Sequence, residues 1–446
     1  MIYEYHDMIS AWSRFRLHKN SHQIDDCVRQ VVAHACRNVA FYRLAFAKAG
    51  VRPDAVRGVS DLAAVPVTTR FDLMSSGPDA YLRRGADPDK LTIKHTTGTT
   101  GTPVTVHMNH TEQSYRKITL LRAISRRVRL TWPFVIVDVG PEQKDQATDT
   151  LRRIGPLSII RLFRSMPMEE QIERLLSSRP AIIKGRPSTL WQLALALREQ
   201  DIRPPQPKMI FTGAEMLFDP VRRLLEDVFR CPVADYYNCE EVGNLAWQCP
   251  FHQDQLHLNT STGWLEAVNQ DGHPVPSGQE GHLVVTNLYN HTMPFIRYKL
   301  GDRGVLLGKQ KCACGVTGPV MRLTEGRDEN FIVLPDGREI TPRLMYDVVN
   351  AVFPHDRPGW KMMDCLRTFQ IIQEEEDLIV VKIVRGPAYT DDIWPAVRRN
   401  LTALHPALRL EVCSVPDLSP APGKKFKQVL GKLNTRWSRE IKEAGL

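Results

Sequence analysis

Between residues 134 and 237 short apolar runs alternate with amphipathic stretches, and that alternation decides the fold class. Phe134-Val135-Ile136-Val137-Asp138-Val139 reads as a buried strand stopped by Gly140-Pro141. The pattern then predicts a helix over 168–176, a strand at 181–183, and a helix over 187–199 carrying Leu190, Leu193, Leu195 and Leu197. A strand at 208–211, a helix over 219–229 and a strand at 233–237 follow. Strands alternating with helices form a parallel α/β layer, because each parallel pair needs a crossover. Ligands of such sheets gather at the carboxyl ends of the strands. Two polar turns fall there, Thr212-Gly213-Ala214-Glu215 and Asn238-Cys239-Glu240-Glu241.

The flanking sequence has other periods. Residues 1–60 read as helical through Ile24, Val28, Val31, Val32, Ala35 and then Phe41-Tyr42, before an extended segment at 66–69 and a short helix from about Arg70. A helix is expected over 112–126. From about Leu256 to Leu307 the chain becomes β-rich, with runs at 264–268 and 281–286 around Asp271-Gly272. This reads as a distorted barrel or an antiparallel sheet attached to the α/β core. Beyond Gly326-Arg327 the pattern restarts: a hairpin around 334–337, a helix over 341–352, strands at 367–373 and 378–384, a helix near 390–404 and a strand at 408–414. The expected architecture is α/β, with a large N-terminal domain over 1–326 (α/β layers plus a β-rich subdomain) and a small α+β domain over 327–446.

Composition excludes several classes of function. The formal net charge is +9, yet the basic residues are dispersed, as in Arg126-Arg127-Val128-Arg129, Arg152-Arg153 and Arg398-Arg399, with no basic tract interleaved with aromatics. Nucleic acid is therefore not expected as a partner, and the positive field is better suited to collecting small polyanions. No apolar run approaches the roughly 18 to 20 residues of a membrane span, so no membrane partner is expected. The first residues lack the pattern of a secretory signal. Nine cysteines, mostly scattered singly, argue against a disulfide framework and for a reducing cytoplasm.

The stretch His95-Thr96-Thr97-Gly98-Thr99-Thr100-Gly101-Thr102-Pro103-Val104 lies between β-branched segments and reads as strand, loop and strand. Glycines let loop amides close on an anion, and threonine hydroxyls add donors. No Gly-Lys-Ser/Thr follows, so it is not a Walker-type loop.

Four more clusters follow: Tyr237-Asn238-Cys239-Glu240-Glu241-Val242-Gly243, Pro294-Phe295-Ile296-Arg297-Tyr298-Lys299-Leu300-Gly301-Asp302, Gly326-Arg327, and Gly423-Lys424-Lys425-Phe426-Lys427. In this order and at these separations the chain resembles the adenylate-forming acyl-CoA ligases, and within them the phenylacetate–CoA ligase branch. Phe41-Tyr42-Arg43, the run at 62–69 and Gly185-Arg186-Pro187-Ser188 are similar to that branch too, so the resemblance covers nearly the whole chain. It implies an enzyme that uses ATP to convert a carboxylic acid, aryl or arylacetic, into an acyl-adenylate, then transfers the acyl group to the thiol of coenzyme A. An amine, a sugar or a carrier-protein thiol stays open as acceptor, as does a nucleotide-binding protein without turnover. A homodimer is left open.

The resemblance also implies roles. Thr96, Thr97, Gly98, Thr99, Thr100 and Gly101 hold the β- and γ-phosphates of ATP; Gly213, Ala214 and Glu215 line the adenine, Tyr237 stacks on it, and Asn238 sits in the same nucleotide-binding turn. Glu241 carries Mg²⁺, a hard cation that shares oxygen ligands with phosphates. Asp302 accepts from the ribose hydroxyls, and Arg327 joins the nucleotide-binding set. Lys424, or its neighbour Lys425, bridges the carboxylate and the α-phosphate; the pattern Gly-Lys-x-x-Lys over Gly423, Lys424 and Lys427 favours Lys424. Arg297 and Lys299 either meet phosphate or, as is favoured for one of them, pair with a carboxylate. The small domain is expected to be mobile and to pivot at Asp328-Glu329. Residues 133–140 and 212–216 are candidate walls of the acid pocket. Glu240 departs from the family's usual serine or threonine, Asn238 from a glycine and Glu329 from an aspartate. Two adjacent acids, Glu240 and Glu241, are expected to strengthen Mg²⁺ binding or to raise the pKa of one of them.

Cys249-Pro250-Phe251-His252 and Cys312-Ala313-Cys314-Gly315 pair thiolates and imidazole at short spacing on either side of a β segment, which suits a structural Zn²⁺. His252 gives a compact Cys-x-x-His knuckle, whereas His257 falls where relatives carry theirs, and either completes a Cys3His set.

Overall fold

The computed structural model describes residues 21–95, 104–125, 127–129, 131, 133–140, 151–154, 157–327, 330–353, 362–418 and 426–431. The chain divides into two compact units. One is Met1–Leu300 with Gly304–Leu323, the other Gly301–Arg303 with Thr324–Leu446.

The first unit opens with helices Ser21–Asn38 and Ala40–Lys48. Val28, Val31, Val32 and Ala35 repeat at helical spacing and are fully buried with Tyr42 and Phe46. A hairpin follows, β1 (Thr92–His95) against β2 (Thr105–Met108), with His95 opposite Thr105. Helix His110–Ser125 starts at a reciprocal cap: Asn109 Oδ1 accepts from Glu112 N at 2.9 Å, and Glu112 Oε2 accepts from Asn109 N at 2.8 Å.

The strands β3 (Phe134–Val139), β4 (Leu151–Ile154), β5 (Leu157–Leu162), β6 (Ile182–Gly185), β7 (Met209–Gly213) and β8 (Val233–Cys239) come next. β5, β3, β6, β7 and β8 lie side by side and parallel, as the alternation requires. Helices Met168–Ser178, Pro187–Glu199 and Asp219–Phe229 make the crossovers. The last of these has proline in its first turn and buries Val221, Leu224, Leu225 and Phe229 on one stripe.

β9 (Gly243–Gln248) then turns back antiparallel on β8. β10 (Leu256–Leu258), β11 (Gly263–Val268), β12 (Glu280–Asn287), β13 (Tyr298–Lys311) and β14 (Thr317–Arg327) continue one twelve-stranded sheet, in the order β11-β12-β13-β14-β10-β9-β8-β7-β6-β3-β5-β4. The barrel alternative does not form. β9 takes the open edge of the parallel layer, β10 pairs with β9 and β14, and the antiparallel strands extend the same sheet. The extended segment at 66–69 also joins this region, since Thr68 N donates to Arg297 O and Lys299 N to Thr68 O.

In the second unit a short hairpin, β15 (Ile332–Val333) and β16 (Glu339–Ile340), precedes helix Pro342–Asn350, which Thr341 caps. β17 (Leu366–Gln373), β18 (Leu378–Arg385), β19 (Arg409–Ser414) and β20 (Val429–Gly431) form a four-stranded sheet in the order β19-β18-β17-β20, with helix Trp394–Leu404 between β18 and β19. No helix among the described residues is long and apolar enough to cross a membrane.

Arg297 is the largest fully buried side chain among the described residues, at 2% exposure. It pairs with Glu266 at 3.1 Å and donates to the carbonyls of Val65 and Gly272, each at 2.7 Å. It is therefore the structural partner of a carboxylate rather than a phosphate ligand. Arg297→Met leaves Glu266 buried without its counter-charge and should cost about 3–5 kcal/mol in urea unfolding. The double change with Glu266→Leu should recover most of that loss.

Candidate active site at the strand carboxyl ends

β7 ends at Gly213, and a side chain there is excluded: a Cβ would lie 2.8 Å from the Tyr236 ring and 3.0 Å from the Tyr236 carbonyl. Ala214 turns the chain with φ 70°, in the left-handed region that disfavours a Cβ. The turn delivers Glu215, whose Oε2 accepts from Ser188 N at 3.2 Å. Its Oε1 is buried and has no hydrogen-bond partner among the described residues, and the same holds for Asn238 Oδ1 at the end of β8. Each orphaned acceptor costs about 1–3 kcal/mol unless a donor reaches it. Two of them at neighbouring strand ends suit a ligand bearing N–H groups, as adenine does.

Tyr237, on β8 opposite Ala246, is 9% exposed. The β8–β9 turn beyond it carries Glu240 and Glu241. Arg116, on helix His110–Ser125, pairs with Glu240 Oε2 at 2.8 Å and donates to the carbonyls of Cys239 and Glu240. Burial works against the Arg116 charge, but Glu240 and its neighbours Tyr289, Cys239 and Glu241 raise its pKa overall. Glu241 is held separately. The Tyr298 hydroxyl donates to its carboxylate, and Tyr298 is pushed well above its ordinary pKa by burial first and by Glu241 next. Asn287 Nδ2 donates to the Glu241 carbonyl at 3.4 Å, and the Tyr289 hydroxyl to the Val242 carbonyl at 2.8 Å. The adjacent acids thus have different partners, Glu240 facing Arg116 and Glu241 facing Tyr298. Neither Arg116 nor Tyr298 was singled out as a site residue by the sequence.

Asp302 lies on β13 and belongs to the second unit, and Arg327 ends β14. Thr96, Thr97, Gly98, Thr99, Thr100, Gly101, Asp328, Glu329, Lys424 and Lys425 lie outside the described residues. The two strands expected on either side of the Thr/Gly loop form, and they pair antiparallel.

A second cluster joins Cys249, His257, Cys312 and Cys314, whose ligand atoms all lie within 4.8 Å of one another. Cys249 follows β9, His257 is on β10, and Cys312 and Cys314 lie between β13 and β14. The Cys249 and Cys312 sulfurs are 3.4 Å apart, and Cys314 Sγ is 3.2 Å from His257 Nε2. Thiolates about 2.3 Å from a common tetrahedral centre would be about this far apart. His257 Nδ1 is buried without a partner among the described residues. Three thiols and an imidazole fit Zn²⁺ by donor type and by number. His252 is exposed and outside the cluster, so the geometry selects His257.

Behind the turns, Thr212 Oγ1 donates to Asp235 Oδ1 at 2.8 Å. Burial pushes the Asp235 carboxyl up to about 7, against the opposing pull of Thr212 and Arg222.

No family model matches the chain. A phenylacetate–coenzyme A ligase of Thermus thermophilus is 24% identical over 346 residues, covering 74% of this chain and 76% of that protein. One from Pseudomonas putida is 26% identical over 329 residues, covering 70% and 71%. Among solved structures, a 2-hydroxyisobutyryl-CoA ligase in its post-adenylation state superposes with a TM-score of 0.73 at 17% identity, covering 96% of this chain and 92% of that one. The fold is that of the adenylate-forming ligases. Within them, the chain resembles the phenylacetate–coenzyme A ligases.

The raised Asp235 pKa has a defined sign. A carboxyl that holds its proton more tightly in the folded state lowers stability as pH rises from about 4, its unfolded value, to about 7. Asp235→Asn should flatten the pH dependence of the melting temperature across that window and raise stability above it. An unchanged slope would show that another group is responsible.

Proposed function

We propose that the chain is an AMP-forming ligase that joins a carboxylic acid, aryl or arylacetic, to coenzyme A in two steps. In the first, a carboxylate oxygen attacks the α-phosphorus of ATP; the bond to the β-phosphate oxygen breaks and pyrophosphate leaves. In the second, the coenzyme A thiolate attacks the acyl carbonyl and AMP leaves. The carrying observation is that the chain matches a phenylacetate–coenzyme A ligase over 346 residues. The orphaned acceptors of Glu215 and Asn238 support it from the structural side.

The roles follow from charge and donor chemistry. Loop amides and hydroxyls at 96–101 hold the departing phosphates. Glu215 and Asn238 accept from the adenine edge and Tyr237 stacks on its face. Asp302 accepts from the ribose hydroxyls, and Arg327 completes the nucleotide contacts. Glu241, whose carboxylate accepts from the Tyr298 hydroxyl, would be the hard oxygen ligand for Mg²⁺, which when bound neutralises phosphate charge. Two anions must meet in the first step, and Lys424 (Lys425 being the neighbouring candidate) offsets their repulsion as charge builds in the transition state. Cys249, His257, Cys312 and Cys314 hold a structural Zn²⁺; four protein ligands leave no position for substrate.

Acid-dependent exchange of pyrophosphate into ATP should be present in the wild type. In Lys424→Ala it should fall at least about 100-fold while ATP binding persists; undiminished exchange would remove Lys424 from the mechanism. Metal analysis of the purified protein should find one zinc per chain, lost in Cys314→Ser together with a lower melting temperature. Native protein without zinc would discard the metal site.

A further inference from the structure

Asp138 on β3 and Lys184 on β6 are opposed in register, and Lys184 Nζ lies 2.6 Å from Asp138 Oδ2. Their side chains are only 20% and 19% exposed. Below them on the same face are Ile136 and Ile182, sealed with Phe134, Met209 and Phe211 beneath Leu120, Leu121 and Ile124 of helix His110–Ser125. The ion pair therefore caps an apolar layer at the carboxyl end of the parallel sheet, where burying charge without a use for it is costly. Arg161 on β5 is also opposite Asp138, adding a second cation to this face.

Tyr236 on β8 sits on the same face, opposite Gly213. Its ring occupies the space that a side chain at position 213 would take. Its hydroxyl has no hydrogen-bond partner among the described residues. The row Asp138, Lys184, Tyr236 thus runs directly up to the turn Gly213-Ala214-Glu215, to which the adenine is assigned above. An acid attacking the α-phosphate must lie beside that nucleotide, so these groups face its distant end. Ordinary packing of an apolar acid there would strip water from the ion pair and the phenol without replacing it.

We propose that Asp138, Lys184 and Tyr236 are specificity residues for an acid carrying a hydroxyl group remote from its carboxylate. The substrate hydroxyl donates to Asp138 and accepts from Lys184 or Tyr236, restoring both halves of what water supplied. This deepens, and rests on, the adenylation reading. Sites that hydrogen-bond a substrate hydroxyl reject the analogue lacking it by up to about 10⁴-fold, because their own groups are left unpaired.

The test is pyrophosphate exchange with matched acids, phenylacetate against 4-hydroxyphenylacetate and benzoate against 4-hydroxybenzoate. In at least one pair the hydroxylated member should have a kcat/KM higher by about 100-fold or more. Asp138→Leu with Lys184→Met removes both charges together and should bring that ratio below about 10. Tyr236→Phe, which deletes one oxygen and leaves the ring over Gly213, should lower it as well. A purely structural role would reduce both members of a pair by the same factor and leave the ratio unchanged, overturning the assignment. A wild-type preference for the unsubstituted acid in both pairs overturns it too, with the adenylation reading intact. Exchange with none of the four acids counts against adenylation itself, and both readings fall.

Discussion

The position of Glu241 depends on the β8–β9 turn, and a guanidinium fixes that turn. Arg116 reaches from helix His110–Ser125 to the β8–β9 turn, where it donates to the carbonyls of Cys239 and Glu240 and pairs with the Glu240 side chain. The ion pair itself contributes little, since Glu240 is 39% exposed and exposed pairs are worth about 0–1 kcal/mol. The two carbonyl contacts matter more, because they set the path of the backbone from which Glu241 projects. The same helix seals the apolar face of β3, β6 and β7 through Leu120, Leu121 and Ile124. One element thus couples the packing of the core to the position of Glu241.

The Cys/His cluster lies where the sheet changes character. β10 is only three residues long, yet it connects the strand that reverses on β8 to the long β13–β14 hairpin. So short a strand makes few ladder hydrogen bonds, and the cluster brings its own His257 together with Cys249 after β9 and Cys312 and Cys314 of the β13–β14 connection. A metal bound there only in the folded chain would stabilise the junction by RT ln(1 + c/Kd), c being the free metal concentration, so with the logarithm of its affinity.

What could be read from sequence was what repeats locally. The helices at 187–199 and 219–229 and the strands at 134–139 and 233–237 have one clear period each, and they appear within a few residues of expectation. β4 and β5 were not anticipated: Leu151-Arg152-Arg153-Ile154 carries two charges in four residues, and nothing in its period distinguishes it from a loop. β9 carries no clear period because Asn244 and Gln248, polar residues buried through hydrogen bonds, break its apolar pattern. Long-range pairing was the least legible feature. Arg116 and Glu240 are 124 positions apart, and no local signal joins them. The choice between His252 and His257 shows the same limit, since compact spacing favours the first while strand pairing buries the second at 1% exposure.

The central claim is that nucleotide and acid meet at the carboxyl ends of β7 and β8. A co-crystal structure with an acyl-sulfamoyl adenosine, a stable stand-in for an acyl-adenylate, tests it most directly. The account predicts adenine against Gly213, Ala214 and Tyr237, its amino group donating to Glu215 or Asn238, and the acyl group directed toward Asp138 and Lys184. Adenosine bound elsewhere on the chain, with the acceptors of Glu215 and Asn238 still unpaired, would contradict it.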